Sequence, residues 1–417
     1  MSNDTSNPLL VLGGGIAGIT AALEAAETGA EVILVESDAT VGGRVLRSHN
    51  YFPKMCPPSC GMEINTRRLE KNPRIRVMTS SRVTGAESIA NGWKVTVTTE
   101  PAYVNSLCTA CGDCEAACTT EVDDPHNLGM KKVKAIRLPH PAAWPKRFVF
   151  DRQAVGDEEA KKIHQACTYG AIDLDAQATT ETFEVKAAVI ATGWRPYPLE
   201  NLEELGGNLD DVIANVQMER LVAPTGPTGG KILCPSTGEA PKRIAFVQCA
   251  GSRDVNHLNY CSGICCLASL KQALYVNERL PDTEVTIYYI DRRAPGRNED
   301  VLLKVAELKG VKLMKGKVGR IEKLNGALTL HVEDVENEKL LKAEADLVVL
   351  ATGMVPNAVD DDLPLFTRKD EDGFVLDDLP SGVTVAGVAR RPEDVASSVR
   401  DATGAAARAM VCAGRRA

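Results

Sequence analysis

The chain has 417 residues, 44% of them hydrophobic and 25% charged, a balance that suits one large or two to three ordinary globular domains and excludes disordered and fibrous architectures. Its 48 Lys and Arg against 56 Asp and Glu give a net charge of −8. That acidic balance lacks the basic surface that binding to a phosphate backbone requires, so no nucleic-acid partner is expected.

Residues 9–12 are an apolar run, Gly13 to Gly18 a glycine turn, residues 19–26 an alanine-rich helix, and residues 31–35 a second apolar run ending in Glu36. The order reads as strand, helix and strand. The apolar stretch from Leu9 to Leu23 is broken by four glycines and closes on Glu24, short of the roughly 20 uninterrupted apolar residues of a membrane span. Asp4 stands where the basic start of an export signal would lie, so the chain is expected in the cytoplasm, reaching a membrane only through partners. Residues 102–174 turn polar and Pro-containing and carry five cysteines, which marks an inserted small domain. Residues 186–193 (KAAVIATG) form a buried strand ending in a glycine turn. Residues 223–241, with four prolines and four glycines, read as a linker. A second unit follows, with a strand at 243–248, a helix over about 262–279 carrying Leu267, Leu270 and Leu274 on one stripe, and a strand at 285–290. Residues 346–353 (DLVVLATG) repeat the earlier ATG pattern. Two such alternating units predict an α/β fold of parallel, doubly wound sheets.

Gly13, Gly15 and Gly18 give G-x-G-x-x-G directly after a strand and at a helix start, where backbone N–H groups and the helix dipole can hold a pyrophosphate. Glu36 lies 18 residues beyond Gly18 at the end of the next strand, suited to accept hydrogen bonds from a ribose. The bland alternative is a tight structural turn. Gly42, Gly43 and Arg44 resemble the turn that flanks the FAD diphosphate in two-dinucleotide-fold flavoproteins, which favours FAD over NAD; otherwise Arg44 is a solvated surface charge.

Thirteen cysteines without an export signal point to metal ligands or redox groups rather than structural disulfides. Cys108, Cys111, Cys114 and Cys118 stand in C-x2-C-x2-C-x3-C, a bacterial ferredoxin spacing whose fourth cysteine serves the other cluster. Cys167, in QACTYGAIDL, resembles the closing cysteine of a ferredoxin's second motif. Cys108, Cys111, Cys114 and Cys167 are therefore expected to hold one [4Fe–4S] cluster, leaving Cys118 without a second cluster to serve. A zinc site is the alternative. In the second unit, where a nicotinamide-binding domain presents another glycine triplet, the sequence is CAGSRDVNHLNYCSGICC. Cys249, Cys261, Cys265 and Cys266 then fall at a strand end and a helix start, where the positive helix end favours thiolates. A second iron–sulfur cluster is expected, against a group of cysteines packed as small hydrophobes. His257 could replace one ligand or be a surface loop residue. Cys56 and Cys60, in KMCPPSCG, either cycle between dithiol and disulfide near the flavin or line the site as thiols. Cys234, Cys412 and His331 read as ordinary residues, and residues 368–372 as a solvated charged loop.

Together GGGIAGITAA, VGGR, CTACGDCEAAC, QACTYGAID, CAGSRD and CSGICC resemble the A subunit of heterodisulfide reductase over nearly the whole chain. The resemblance implies a thioredoxin-reductase-like, two-dinucleotide-binding-domain flavoprotein fold with an inserted ferredoxin-like domain. The expected divisions are 1–100, 176–225 and 344–417 for the FAD domain, 101–175 for the insert, and 226–343 for a second Rossmann-like domain. The sequence ends at Ala417, without the two-cluster extension of long family members. In this it most resembles the A subunit of the quinone-interacting membrane-bound oxidoreductase complex of sulfate reducers. That resemblance implies a sister flavin and iron–sulfur subunit, a haem-containing membrane subunit, and electron flow between menaquinol and adenylylsulfate reductase. Residues 383–387 and the helix after them resemble the family's closing flavin-contacting segment, with Val388 where flavoprotein disulfide reductases carry Asp.

The expected FAD contacts are Gly13, Gly15, Ala17, Gly18, Glu36, Ser37, Gly42, Gly43, Arg44, Ala191, Thr192, Gly193, Ala351, Thr352, Gly353, Gly387, Asp394 and Val395. FAD and two [4Fe–4S] clusters would make the chain an electron-transfer subunit of a larger oxidoreductase. The competing readings are an NAD(P)H-dependent disulfide reductase using Cys56 and Cys60, and a scaffold that keeps the fold but little cofactor.

Overall fold

The computed structural model describes residues 8–52, 55–324, 326–360, 363–365 and 367–415; Asp4 and Lys54 of the motifs above lie outside them. Two sheets organise the chain. The first has five parallel strands in the order Val383–Val385, Ala187–Ile190, Leu9–Leu12, Val32–Val35 and Ile75–Met78. Leu9–Leu12 and its neighbours Val32–Val35 and Ala187–Ile190 are buried throughout, as central parallel strands covered on both faces must be. Helices Ile16–Glu27 and Val395–Gly414 cover one face, where Ala21, Ala22 and Ala25 meet Ala402, Ala405 and Ala409. These small side chains let the two helices and the sheet approach closely. A three-stranded antiparallel sheet of Ser81–Ile89, Gly92–Thr99 and Thr179–Val185 covers the other face, through Val95, Val97 and Val185.

The cysteine-bearing insert leaves this small sheet at Thr99 and returns at Thr179, and these two residues are cross-strand partners. Chain can therefore be inserted there without breaking any pairing of the host. Between them lie short helices Asp113–Ala117 and Asp157–Ala166 and two small ribbons, packed around Ile136, Phe148, Phe150 and Ile163.

The second sheet has seven strands: Val212–Ala214, Leu347–Thr352, Arg243–Ala250, Glu284–Tyr289 and Val311–Leu324 run parallel, then Ala327–Asp334 and Lys339–Ala345 close it as an antiparallel meander. Helices Asn215–Val222 and Cys265–Arg279 pack on one face, with Leu267 and Leu270 in the core and Leu274 at its edge. A ribbon of Trp194–Pro196 against Met354–Pro356 ties the two halves together.

The sequence reading differs from the structure in three places. Residues 223–241 hold no helix or strand, yet they are packed: Ile232 and Cys234 are buried in the second core, and the Arg279 guanidinium donates to the carbonyls of Val222, at 2.5 Å, and Gly230. Strand 243–248 runs on to Ala250, with Cys249 at a positive φ of 57° where the register shifts. The following helix begins at Cys265 rather than 262, because Gly263 sits at φ 70° and the Ser262 hydroxyl is engaged by the Met354 N–H. Among the described residues no helix is long and apolar enough to cross a membrane.

Candidate cofactor sites

A cavity of about 860 Å³ opens where the glycine turn of the first sheet faces helix Cys265–Arg279 of the second. The turn is fixed by close approach: a side chain on Gly18 would collide with the Gly13 carbonyl, and one on Gly13, at φ 104°, with the Ala191 carbonyl. Gly15, in contrast, faces open space. Helix Ile16–Glu27 begins there with neither a side-chain cap nor an acidic residue in its first turn, so its leading N–H groups are left for a ligand. Glu36 is buried, with Oε2 accepting from the Gly14 N–H at 2.6 Å and Oε1 from the Asp38 N–H at 2.7 Å. Burial raises its pKa, partly offset by those N–H donors. Arg44 lies in the wall with its guanidinium over the Trp194 ring at 4.9 Å and Nε donating to the Trp194 carbonyl at 2.5 Å. Burial pulls its pKa down to about 10, so an anionic ligand beside it would relieve a desolvated cation. Arg44 is thus no solvated surface charge.

Of the sequence-predicted contacts, Gly13, Gly15, Ala17, Glu36, Ser37, Gly43, Arg44, Ala191, Thr192, Gly193, Asp394 and Val395 line this cavity. Gly18, Gly42 and Gly387 stand behind it; the Gly42 N–H donates to the Gly14 carbonyl at 2.8 Å, and the Gly387 N–H to Asp401 at 2.9 Å. Ala351, Thr352 and Gly353 lie in and just beyond a strand of the other sheet, and of that segment it is Met354 that reaches the cavity. Asp394 caps helix Val395–Gly414, accepting from the Ser397 N–H at 2.6 Å. The buried Thr192 hydroxyl in the wall has no partner, as expected of a group awaiting a ligand. The size, the open Gly15 cradle, the uncapped helix and Arg44 all fit FAD.

Several wall residues were missed: Tyr51, Phe52, Ile264, Leu267, Lys271 and Glu393. They come from elements distant in sequence and carry no motif. Lys271 is buried and paired with Glu219 at 3.0 Å, its Nζ also donating to the Asn50 carbonyl at 2.7 Å.

In the insert, Cys108, Cys111, Cys114 and Cys167 line one small cavity of about 10 Å³, together with Phe148 and Tyr169. Cys118 is absent from its lining; it is buried in the insert's core with its thiol toward the Thr120 carbonyl at 3.4 Å. Burial, and then the neighbouring Cys108, Cys167 and Cys111, push the Cys114 thiol up to about 11. Thiolates there need a positive charge among them, as iron would supply. The donor chemistry of these four thiols fits a cluster. Among the described residues no three His, Cys, Asp or Glu side chains converge as ligands of a single metal ion.

Cys249, Cys261, Cys265 and Cys266 gather at the end of strand Arg243–Ala250 and the start of helix Cys265–Arg279. Cys265 is buried, and desolvation, reinforced by Cys249, Cys266 and Cys261, pushes its thiol up to about 12. Cys249 and Cys266 are raised chiefly by burial, with Arg253 pulling against it. The thiols of Cys265 and Cys266 point to the carbonyls of Thr352, at 3.6 Å, and Asp291, at 3.4 Å. His257 turns away from this group: its Nδ1 pairs with the Tyr197 hydroxyl at 3.0 Å and its Nε2 with Glu204 at 3.2 Å. Cys56 lies just before helix Pro58–Lys71 and Cys60 on it, and neither lines the large cavity. Cys234 and Cys412 are buried in the two cores, and His331 pairs with Glu322 of the neighbouring strand at 2.7 Å.

Residues 8–104 match the family described as FAD dependent oxidoreductase. The A subunit of the H2:CoB-CoM heterodisulfide, ferredoxin reductase of Methanothermobacter marburgensis is 35% identical over 96% of this chain and 63% of its own length. The A subunit of the ferredoxin/F420H2-dependent CoB-CoM heterodisulfide reductase of Methanosarcina acetivorans is 34% identical over 98% of this chain and 53% of its own. A protein of Archaeoglobus profundus that is named as similar to the heterodisulfide reductase A chain is 32% identical over 98% and 66%. The chain thus spans between about half and two thirds of the length of these relatives. In fold it is similar to Lactococcus lactis thioredoxin reductase (TM-score 0.53, 15% identity, 98% of this chain and 99% of that one) and to the bacillithiol disulfide reductase of Bacillus cereus (TM-score 0.53, 13% identity, 98% and 99%). The fold is that of the thioredoxin-reductase-like flavoproteins.

Proposed function

We propose that this chain, which belongs to the family of heterodisulfide reductase A subunits and their close relatives, is the flavin and iron–sulfur electron-relay subunit of a larger oxidoreductase. The observation that carries the reading is one helix with two faces. Helix Cys265–Arg279 starts within the second cysteine group, while Leu267, Ala268 and Lys271 on it line the cavity that fits FAD. A flavin held there by the glycine turn, Glu36 and Arg44 would lie beside the Cys249, Cys261, Cys265 and Cys266 group, with a second cluster on Cys108, Cys111, Cys114 and Cys167. When bound, FAD exchanges electrons singly or in pairs while each cluster carries one. The chain's own part is to hold the pyrophosphate on uncapped N–H groups, to neutralise it with Arg44 and to keep water from the ring with Ile264, Leu267 and Val388.

From the resemblance to the quinone-interacting membrane-bound oxidoreductase complex we infer the partners: a haem-containing membrane subunit together with a sister flavin and iron–sulfur subunit, with electrons moving between menaquinol and adenylylsulfate reductase in sulfate reduction. The relatives are named for ferredoxin and the CoB-CoM heterodisulfide, which suggests a ferredoxin or disulfide couple as the alternative. The NAD(P)H-dependent disulfide reductase is disfavoured, because neither Cys56 nor Cys60 lines the cavity and cysteines occupy the turn a nicotinamide dinucleotide would need. Anaerobic mixing of the FAD-loaded protein with NADPH, and separately with a reduced low-potential ferredoxin, tests this. Flavin bleaching by ferredoxin and none by NADPH is expected; rapid bleaching by NADPH contradicts the reading.

A further inference from the structure

We propose that Glu393 relays protons between solvent and the flavin site, a role that rests on the large cavity holding FAD. Glu393 precedes the capping residue Asp394 at the start of helix Val395–Gly414 and lines two cavities at once. One is the large cavity, shared with Asp394, Val395 and Ser398. The other, of about 400 Å³, is walled by Gly263, Leu267, Pro295, Arg391, Arg400 and Asp401, and its rim residues Arg391 and Arg400 are exposed. Glu393 therefore stands in the wall between a ligand site and water.

Its side chain is only 6% exposed. Oε1 accepts from Arg391 Nε at 2.5 Å, while Oε2 is buried without a hydrogen-bond partner. An ionised carboxylate with an unsatisfied buried oxygen is costly, whereas a protonated one can place its O–H toward an acceptor. Burial raises the pKa, the Arg391 guanidinium pulls it down, Asp401 raises it and Arg390 lowers it, and the net direction is up. Asp401 is held by Arg390 Nη1 at 2.9 Å and the Gly387 N–H at 2.9 Å. Arg400 donates to the Ser397 hydroxyl at 3.0 Å. From the facing side, Gly263, Leu267 and Pro295 bring no charge to the second cavity. Lys271 on the same helix is already paired with Glu219, and the thiols of Cys261, Cys265 and Cys266 flank the helix start. Within the two cavities Glu393 is thus a buried carboxyl group with one unpartnered oxygen, held above the usual carboxylate range by burial.

In each turn, one electron reaching the cofactor from a one-electron iron–sulfur donor is matched by one proton. The O–H bond of Glu393 breaks and that proton passes to the cofactor. The carboxylate then takes a proton from solvent entering the second cavity, so one electron and one proton enter the site and Glu393 returns to its acid form.

The test uses the full chain loaded with FAD, as wild type, E393Q and E393D, after the flavin content of each has been read from its absorbance. Dithionite, as the one-electron donor, reduces each protein across a pH series in a stopped-flow mixer. Infrared difference spectra of the same reduction report the protonated carboxyl directly. The expected result is a wild-type rate that falls as pH rises through the raised Glu393 pKa, together with a carboxyl band that responds to reduction. E393Q should keep its FAD, lose that band, flatten the pH profile and run about 100-fold slower at the acid end. E393D should restore the pH dependence. An FAD-loaded E393Q with the wild-type rate, profile and band overturns the relay and leaves the FAD site standing. A wild-type chain that retains no FAD overturns both.

Discussion

The turn after Leu9–Leu12 and the turn after Arg243–Ala250 hold equivalent places, each between a central parallel strand and the helix that follows it. The first is built from glycines, ends on an uncapped helix and opens on a large cavity. The second carries cysteines, with Cys265 buried at the helix start and Cys249, Cys261 and Cys266 half-buried around it. The two turns share one physical device, a helix N-terminus that favours negative charge. Under the proposed function they would differ in what supplies that charge: a ligand's phosphates in the first, and the chain's own thiolates, once metal had displaced their protons, in the second. On the proposed reading, replacing glycines by cysteines would change a nucleotide site into a metal site within the same strand-turn-helix frame.

The comparison breaks most completely if the glycine turn is filled. Gly18→Val should abolish FAD retention, because the new side chain collides with the Gly13 carbonyl and moves the turn; flavin absorbance after gel filtration reads this directly. Next in size, Cys265→Ser should halve bound iron and leave flavin content unchanged, measured by colorimetric iron assay beside the flavin spectrum. Cys167→Ser should remove a comparable share of iron, also with FAD in place. Unchanged iron in Cys167→Ser would move the fourth ligand to Cys118, whose thiol the structure turns toward the Thr120 carbonyl instead. The smallest effect belongs to Cys60→Ser: Cys60 is exposed and outside the cavity wall, so flavin content, iron content and reduction by ferredoxin should all match wild type.

Much of the first turn was legible because its constraints are local. Glycines at 13 and 18 are dictated by collisions within a few residues and with the adjoining strand, and Glu36 by the end of the next strand. The insert's cysteines were legible for the same reason, since short spacings hold Cys108 and Cys111 on one loop and Cys114 at the start of the helix that follows it, and Cys167 carries its own motif. The repeated ATG pattern misled in part. Residues 191–193 and 351–353 read alike, yet only the first faces the large cavity, because which strand end meets a ligand is decided by sheet order and not by the strand's own sequence. The linker at 223–241 is rich in Pro and Gly and still buries Ile232 and Cys234, since Arg279, far along the chain, anchors its carbonyls. Ile264, Lys271 and Glu393 carry no signature of their own; they become wall residues only when the second sheet docks against the first.

On the proposed reading, one flavin and two cysteine-held clusters share this chain. An anaerobic count of FAD, iron and acid-labile sulfide per chain, with electron paramagnetic resonance of the reduced protein, tests it most directly. One FAD with about eight irons and two distinguishable cluster signals is the predicted result. One FAD with about four irons and a single signal would contradict it, returning the cysteines of one turn to plain thiols.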